Sequence, residues 1–473
     1  EKTKLSKERC CPLDPLTNVS LCANITHASF HKDQQCLEGY EGVLCMVCAD
    51  QYVPQFTGCT QCKGGGQLPL VFLFLCILCI PLFAIVFIIL LKSVKPEKIE
   101  DAGEQTSDIM GQVKIVITYV QIMSSMPGIM ENVPWPSSFV SFSVPFTTMN
   151  LNWMGMVGNS WCSLSVPFQE KFLVHMAMPV LVSLTTWLAY VVSNVCGDRE
   201  KKSYRSAQAL KIFLFIVLFI YPGLCTAVFT MFLCKDIAGV KDGLVLVADF
   251  NVRCQQGEHV VYGGLGVFFG VLYVFGIPAY ILYVLKKNRQ HLYDPTSPKH
   301  EEVMYKLGGL YSQYEEKYWW FEVCVILHKM FMTGALCLIA AGTAIQPLVA
   351  TIFQLIFLLG VVKCSPFDSA NDDYSEFVSS FSLTLMMLCA FAITNNDPNE
   401  PNFETESVGY FLIGISTLCF VLEFGIMVIT CNSNCLKKGE AAAASTKKKT
   451  TKIAPERGSS VQDKAQEAWR AVE

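Results

Sequence analysis

The stretch VGYFLIGISTLCFVLEFGIMVIT, residues Val408–Thr430, holds a single ionisable side chain, Glu423, in an otherwise apolar run. A helix needs about 20 such residues to cross a bilayer. Working outward, the same length and composition recur at Leu68–Leu91, Phe172–Val195, Leu210–Leu233, Tyr262–Leu285, Val323–Ala341, Ile345–Val362 and Phe377–Thr394. A more polar stretch, Ile109–Met130, contains Lys114, Gln121 and the pair Ser124-Ser125, and needs shielding by other helices. The reading is an all-α polytopic membrane protein of about nine transmembrane helices. Across 473 residues, 52% are apolar and 16% charged. Soluble domains carry about 25% charged residues, so the deficit points to lipid as the main solvent. A formal charge of −4 without a basic face gives no reason to expect nucleic acid.

Before the first apolar run lies a polar head, residues 1–66, with Cys10, Cys11, Cys22, Cys36, Cys45, Cys48, Cys59 and Cys62. An even number of cysteines in a short segment reads as a disulfide framework. Two N-glycosylation sequons, at Asn18 and Asn24, lie in the same head, and glycans and disulfides both require an exported compartment. The spacings Cys45-x2-Cys48 and Cys59-x2-Cys62 also suit a zinc site, but the oxidising context favours disulfides, and no metal is assigned. The head is therefore a small disulfide-rich extracellular module. The chain opens on Glu1, and a longer precursor is expected.

Lysine and arginine set the orientation of residues 67–435. With the head outside, cytosolic loops hold Lys92, Lys95 and Lys98, then Arg199, Lys201, Lys202 and Arg205, then Lys286, Lys287, Arg289, Lys299, Lys306 and Lys317. The tail, 436–473, carries Lys447-Lys448-Lys449 and reads as a largely disordered basic segment on the cytosolic side. One loop, Ser365–Glu376, is acidic where this scheme expects basic residues. Two external loops are long. Glu131–Glu170 is rich in Trp, Pro and Phe, and suits a segment lying at the interface or dipping back into the bundle. Cys234–His259 offers a second disulfide across the loop, between Cys234 and Cys254, with Cys162 as a competitor.

No phosphate-binding loop, His-Glu-x-x-His, nucleophile elbow or dinucleotide fingerprint is present, so enzyme activity is not expected. No arginine ladder or potassium-type filter appears either. The informative residues are ionisable groups within spans, because a charge at membrane depth costs several kcal/mol and faces protein or water. Glu423 suits a cation ligand or proton relay, or a hydrogen-bonded packing glutamate. Lys114 suits a partner for Glu423 or a conduit lining, or a snorkelling cation. Glu322 and Lys329 are two helical turns apart and share a face, with His328 beside them. They read as a polar seam lining a pathway or coupling a cytosolic linker to the bundle, or as an interfacial anchor. Asn150 and Asn152 suit a vestibule or turn backbone.

The run Cys36-Leu-Glu-Gly39-Tyr40-Glu-Gly42-Val-Leu-Cys45-Met-Val-Cys48, with Tyr52 and Cys59-x2-Cys62, resembles EGF-like, ephrin-receptor-like cysteine modules found before the membrane in large surface proteins of algae and other protists. The membrane part resembles the TRP-like C-terminal domain of those proteins and, more distantly, fungal TRP-like flavin-carrier proteins. The residues carrying this are Lys114, Tyr119 and Gln121; Trp135-Pro136 and Phe139; Tyr311 and Tyr314; Trp319-Trp320-Phe321-Glu322; His328-Lys329; and Pro366 with Asn371. His328 stands where that pattern has arginine, which argues against a role for a permanent guanidinium there.

The resemblance implies a channel-related membrane protein passing cations in response to force, lipid or an ectodomain partner, with calcium as a permeant or bound ion. The alternatives are an anchor for a large cell-surface assembly and a multi-span receptor. No cofactor is expected beyond N-linked glycans and bound lipid or sterol. The expected partners are the bilayer of a plasma or flagellar membrane and other protein chains, met through the extracellular module or by oligomerisation.

Overall fold

The computed structural model describes residues 36–41, 45, 47–49, 52–55, 58–61, 99–150, 168–195, 202–236, 244–397 and 401–452. Cys10, Cys11, Cys22, Cys62, Asn18, Asn24, Cys162, Asn152 and the stretch Leu68–Leu91 lie outside them.

In the head, β1 (Tyr40–Glu41) pairs antiparallel with β2 (Val47–Cys48), and β3 (Tyr52–Gln55) with β4 (Gly58–Gln61). Disulfides join Cys36 to Cys45 and Cys48 to Cys59, so the two Cys-x2-Cys spacings do not act as paired metal ligands. Gly39 sits at φ +89°, and the Tyr52 ring lies 2.5 Å from where a Cβ would stand, so the position admits only glycine. The next residue, Tyr40, accepts the Cys59 backbone N–H on its hydroxyl at 2.9 Å.

The rest is helical. After α1 (Ile99–Ile129), a short α2 (Ser137–Ser143) and a 3-10 turn (Val144–Asn150) lead to α3 (Phe168–Val195) and α4 (Lys202–Thr230). A three-stranded sheet follows, ordered β5 (Cys234–Lys235), β6 (Val245–Leu246), β7 (Asp249–Arg253), and is closed by the Cys234–Cys254 disulfide. Then come α5 (Glu258–Phe269), a π-helical stretch (Gly270–Phe275), α6 (Gly276–Lys287), α7 (His300–Tyr311), α8 (Phe321–Thr333), α9 (Ile345–Cys364), α10 (Ala370–Thr394) and α11 (Thr405–Lys452). Alternation of the long helices puts the β5–β7 sheet on one face of the bundle and the 312–320 and 365–369 loops on the other. The module's β2 lies against β7, so both disulfide-bearing parts share a face.

Six helices are long and apolar enough to cross a membrane: Phe168–Val195, Arg205–Thr230, Glu258–Lys287, Ile345–Cys364, Ala370–Thr394 and Thr405–Ser433. The count of about nine is not reached among the described residues. The Ile109–Met130 stretch is helical to Ile129, within α1, but too polar to count on composition. Instead it is the axle of the bundle: Tyr119, Ile122, Met123, Met126 and Met130 are buried, as are Gln112, Gln121 and Ser124. The other helices turn Ile352, Ile356 and Leu359 of α9, and Phe411, Val421 and Phe424 of α11, outward.

The expected Val323–Ala341 span is not one helix. α8 stops at Thr333, and residues Ala335–Leu338 form a 3-10 turn. The chain leaves the helix at Gly334, and the position needs glycine, because a Cβ there would meet Phe229 Cδ2 of α4 at 2.6 Å. Close approach also lets Thr226 Oγ1 donate to the Thr333 carbonyl. The first part of the tail, to Lys452, continues α11 as helix, and residues 453–473 lie outside the described ones. Ala441–Ala444 are the best helix formers and extend a helix already nucleated in the bundle. The acidic Ser365–Glu376 stretch has a local cause: Asp372 and Asp373 occupy the first turn of α10, where carboxylates meet the positive end of the helix dipole.

Pro278 in α6 removes the N–H that would bond Val274, four residues earlier. The π-helical stretch ends just before it, and the buried Tyr221 hydroxyl of α4 donates to the freed Val274 carbonyl at 2.7 Å. Tyr221→Phe leaves that carbonyl without its donor, and is expected to lower stability by roughly 0.5–2 kcal/mol. Thermal unfolding in detergent reads this as a fall in midpoint.

Candidate functional site

Four ionisable side chains from three helices meet inside the bundle: Lys114 (α1), Glu322 and Lys329 (α8), and Glu376 (α10). They line a cavity of about 50 Å³ together with Gln313 and Tyr314. Water needs roughly 10–15 Å³ of such space and several polar neighbours, so the cavity is sized for a few waters.

Glu322 is the best-satisfied group. Oε1 accepts from Lys114 Nζ at 3.0 Å. Oε2 accepts from Gln313 Nε2 at 3.0 Å and from the Tyr314 hydroxyl at 2.8 Å. Lys114 Nζ also donates to the Gly309 carbonyl at 2.5 Å. Burial, with the Glu322 anion alongside, holds the Tyr314 phenol well above its usual range, so it remains a donor.

Backbone pairing delivers those donors. Glu315 N–H donates to the Pro366 carbonyl and Asp368 N–H to the Gln313 carbonyl, both at 3.0 Å. Tyr314 packs against Phe321 and Phe367, with ring centroids 5.4 and 5.0 Å apart. The segment after α7 and the α9–α10 loop are therefore tied together, and through Gln313 and Tyr314 that pairing reaches Glu322.

Deeper in, Lys329 Nζ donates to Gln121 Oε1 at 3.3 Å. Gln121 is a hub: its Nε2 donates to the Met149 carbonyl at 3.0 Å and the Phe219 carbonyl at 2.9 Å. Asn150 Nδ2 returns bonds to the Gln121 carbonyl and to Ser124 Oγ, at 2.8 and 2.9 Å. Gln121 lies eight residues before the end of α1, about 12 Å at 1.5 Å per residue. The described part of the Glu131–Glu170 loop thus dips back into the bundle, and Asn150 serves as a helix clamp rather than as a turn residue.

The five residues singled out from sequence divide three ways. Lys114, Glu322 and Lys329 share the cavity, and Lys114 pairs with Glu322 rather than Glu423. His328 leaves it: Nε2 bonds Gln354 Oε1 at 2.7 Å, and the ring stacks on Phe357 with centroids 3.9 Å apart. Glu423 lies in a separate seam, accepting from Ser379 Oγ at 2.9 Å. Sequence reasoning missed Glu376 and Gln313. Glu376 was counted in an acidic loop. Its helical spacing from Asp372, Ser379 and Ser380 is the signal that identifies it as a bundle residue.

On the sheet face, Cys234, Cys254 and His259 lie within 4.8 Å of one another, a metal-like grouping. The two sulfurs are bonded to each other, which leaves one ligand. His259 instead fastens the sheet to α4, accepting from Gln255 N–H on Nδ1 and donating from Nε2 to the Met231 carbonyl, both at 3.2 Å.

The sequence profile described as "Transient receptor potential (TRP) ion channel" matches residues 168–454. The match covers more than half of the chain, and the chain belongs to this family. It takes in Glu322, His328, Lys329, Glu376 and Glu423, and leaves Lys114 and Gln121 outside. A search of curated proteins and one of solved structures find no match.

Removing one member of a buried ion pair strands the other, at a cost of about 3–5 kcal/mol, whereas replacing both with apolar residues is near neutral. Glu322→Ala is expected to destabilise by that amount, and Lys114→Met with Glu322→Met to recover most of it. Chemical or thermal unfolding of the purified variants measures both.

Proposed function

We propose that this protein is a cation channel whose conduction path follows α1, and that the Lys114–Glu322 pair holds it closed. One observation carries the reading. A chain of polar groups runs from Gly309, Gln313 and Tyr314 at one face, through Glu322, Lys114 and Lys329, to Gln121. There it meets Asn150, brought in from the other face. Ionisable side chains at membrane depth are costly, and their usual places are ion paths and gates.

In the conformation described, Lys114 bonds Glu322 and Lys329 bonds Gln121 around a shared cavity of about 50 Å³, an arrangement we read as closed. Opening requires Glu322 to exchange Lys114 for water or an ion. The segment after α7 and the α9–α10 loop both contact this site, and are the natural levers. The basic residues Lys286, Lys287, Arg289 and Lys299 lie on that same face, which we read as cytosolic, with the cysteine module outside. Calcium is read as a permeant ion and the plasma membrane as the host.

The seating of β2 against β7 favours a mechanical input. Force on the module would reach α4 and α5 through the disulfide-closed sheet and His259. The same contact supports the second reading, an anchor for a cell-surface assembly.

Cation flux through the purified full chain in liposomes tests the proposal. Glu322→Gln weakens the closed pair, and resting flux is expected to rise by about tenfold for each 1.4 kcal/mol lost from the closed state. Folded wild-type and variant protein that both fail to pass cations, with and without membrane tension, would favour the anchor.

A further inference from the structure

Glu423 differs from the other buried acids. It is 3% exposed, and among the described residues no lysine, arginine or histidine pairs with it. One carboxylate oxygen accepts from Ser379 Oγ, while Oε2 is buried without a hydrogen-bond partner. Ser375 lies one turn before Ser379 on the same face of α10. It is fully buried, and its Oγ also lacks a partner. Ser375 Oγ on α10 and Glu423 Oε2 on α11 thus lie without a well-formed hydrogen bond, with the Ser375 hydroxyl near enough to act on the carboxylate that Ser379 already binds. Leaving such atoms bare costs about 1–3 kcal/mol each, and more for a charged group.

We infer that Glu423, Ser375 and Ser379 form a binding site for a monovalent metal cation, of the sodium type, between α10 and α11. A cation there would satisfy both bare oxygens and neutralise the carboxylate. The donor set fixes the class. All three ligands are hard oxygens, which suit alkali and alkaline-earth ions. Calcium takes six to eight oxygens, typically with several carboxylates, whereas here one carboxylate stands with two hydroxyls. Among the described residues no group of three or more acidic, histidine or cysteine ligands includes Glu423; the neighbouring acid, Glu376, accepts from Ser380 instead. The seam is separate from the Lys114–Glu322 cavity, whose lining does not include Glu423. The inference does not rest on conduction.

Thermal unfolding of the purified full chain in detergent, in sodium, potassium, calcium or N-methylglucamine chloride at matched ionic strength, tests this. Sodium is expected to raise the wild-type midpoint saturably, by on the order of 2–5 °C. The rise should vanish in Glu423→Gln and shrink in Ser375→Ala and Ser379→Ala; the serine variants keep the test available if Glu423→Gln fails to fold. Three results overturn the site: no sodium-dependent rise in wild type, an equal rise in the variants, or a rise with calcium alone. The first, with Glu423→Gln as stable as wild type, would mean that the carboxyl is a neutral acid donating to Ser375.

Discussion

The Lys114–Glu322 ion pair is the contact on which the arrangement of this bundle turns. It joins the central helix to the first turn of α8, and it does so where the 312–320 and 365–369 loops close over the bundle. A lysine placed mid-helix in α1 cannot face lipid, so α1 must be surrounded. Surrounding it puts the apolar faces of α3, α5, α6, α9 and α11 outward. The lipid-facing ring is in that sense a consequence of the polar axle.

The same constraint organises the chain of groups leading inward. Glu322 is held by three donors from two segments, α1 and the stretch after α7, so movement of either is felt at one carboxylate. Lys329 carries the connection to Gln121, and Gln121 ties it to Asn150 and to the Phe219 carbonyl of α4. Low dielectric strengthens each of these bonds and penalises any that is left unmade. A network of this kind favours discrete bonded and opened arrangements over gradual deformation, which is the property a gate needs. Membership of the TRP ion channel family is consistent with that use.

Much of this was legible in the sequence, for physical reasons. Spans such as Phe172–Val195 and Val408–Thr430 declare themselves because length and apolarity are all that a lipid-facing helix requires. Lys114, Glu322 and Lys329 stood out because charge is rare at membrane depth. What was not legible depends on tertiary approach. Position 334, where α8 stops, must be glycine because α4 comes too close for a side chain, and no local pattern encodes that proximity. The partner of Lys114 was uncertain because Glu322 and Glu423 are both compatible with it in sequence, and only packing separates them. Asn150 looked like a turn residue, since its partners lie 26 and 29 positions away on α1. Glu376 was hidden by its position among the acids that open α10.

Planar-bilayer recording of the charge-swapped pair tests the central claim most directly. Lys114→Glu and Glu322→Lys singly place like charges together, and each should hold the path open at rest. Combining them restores an attractive pair and should return the resting current toward wild type. Resting currents that are indistinguishable from wild type in all three variants would show that the pair supports the fold without closing a path.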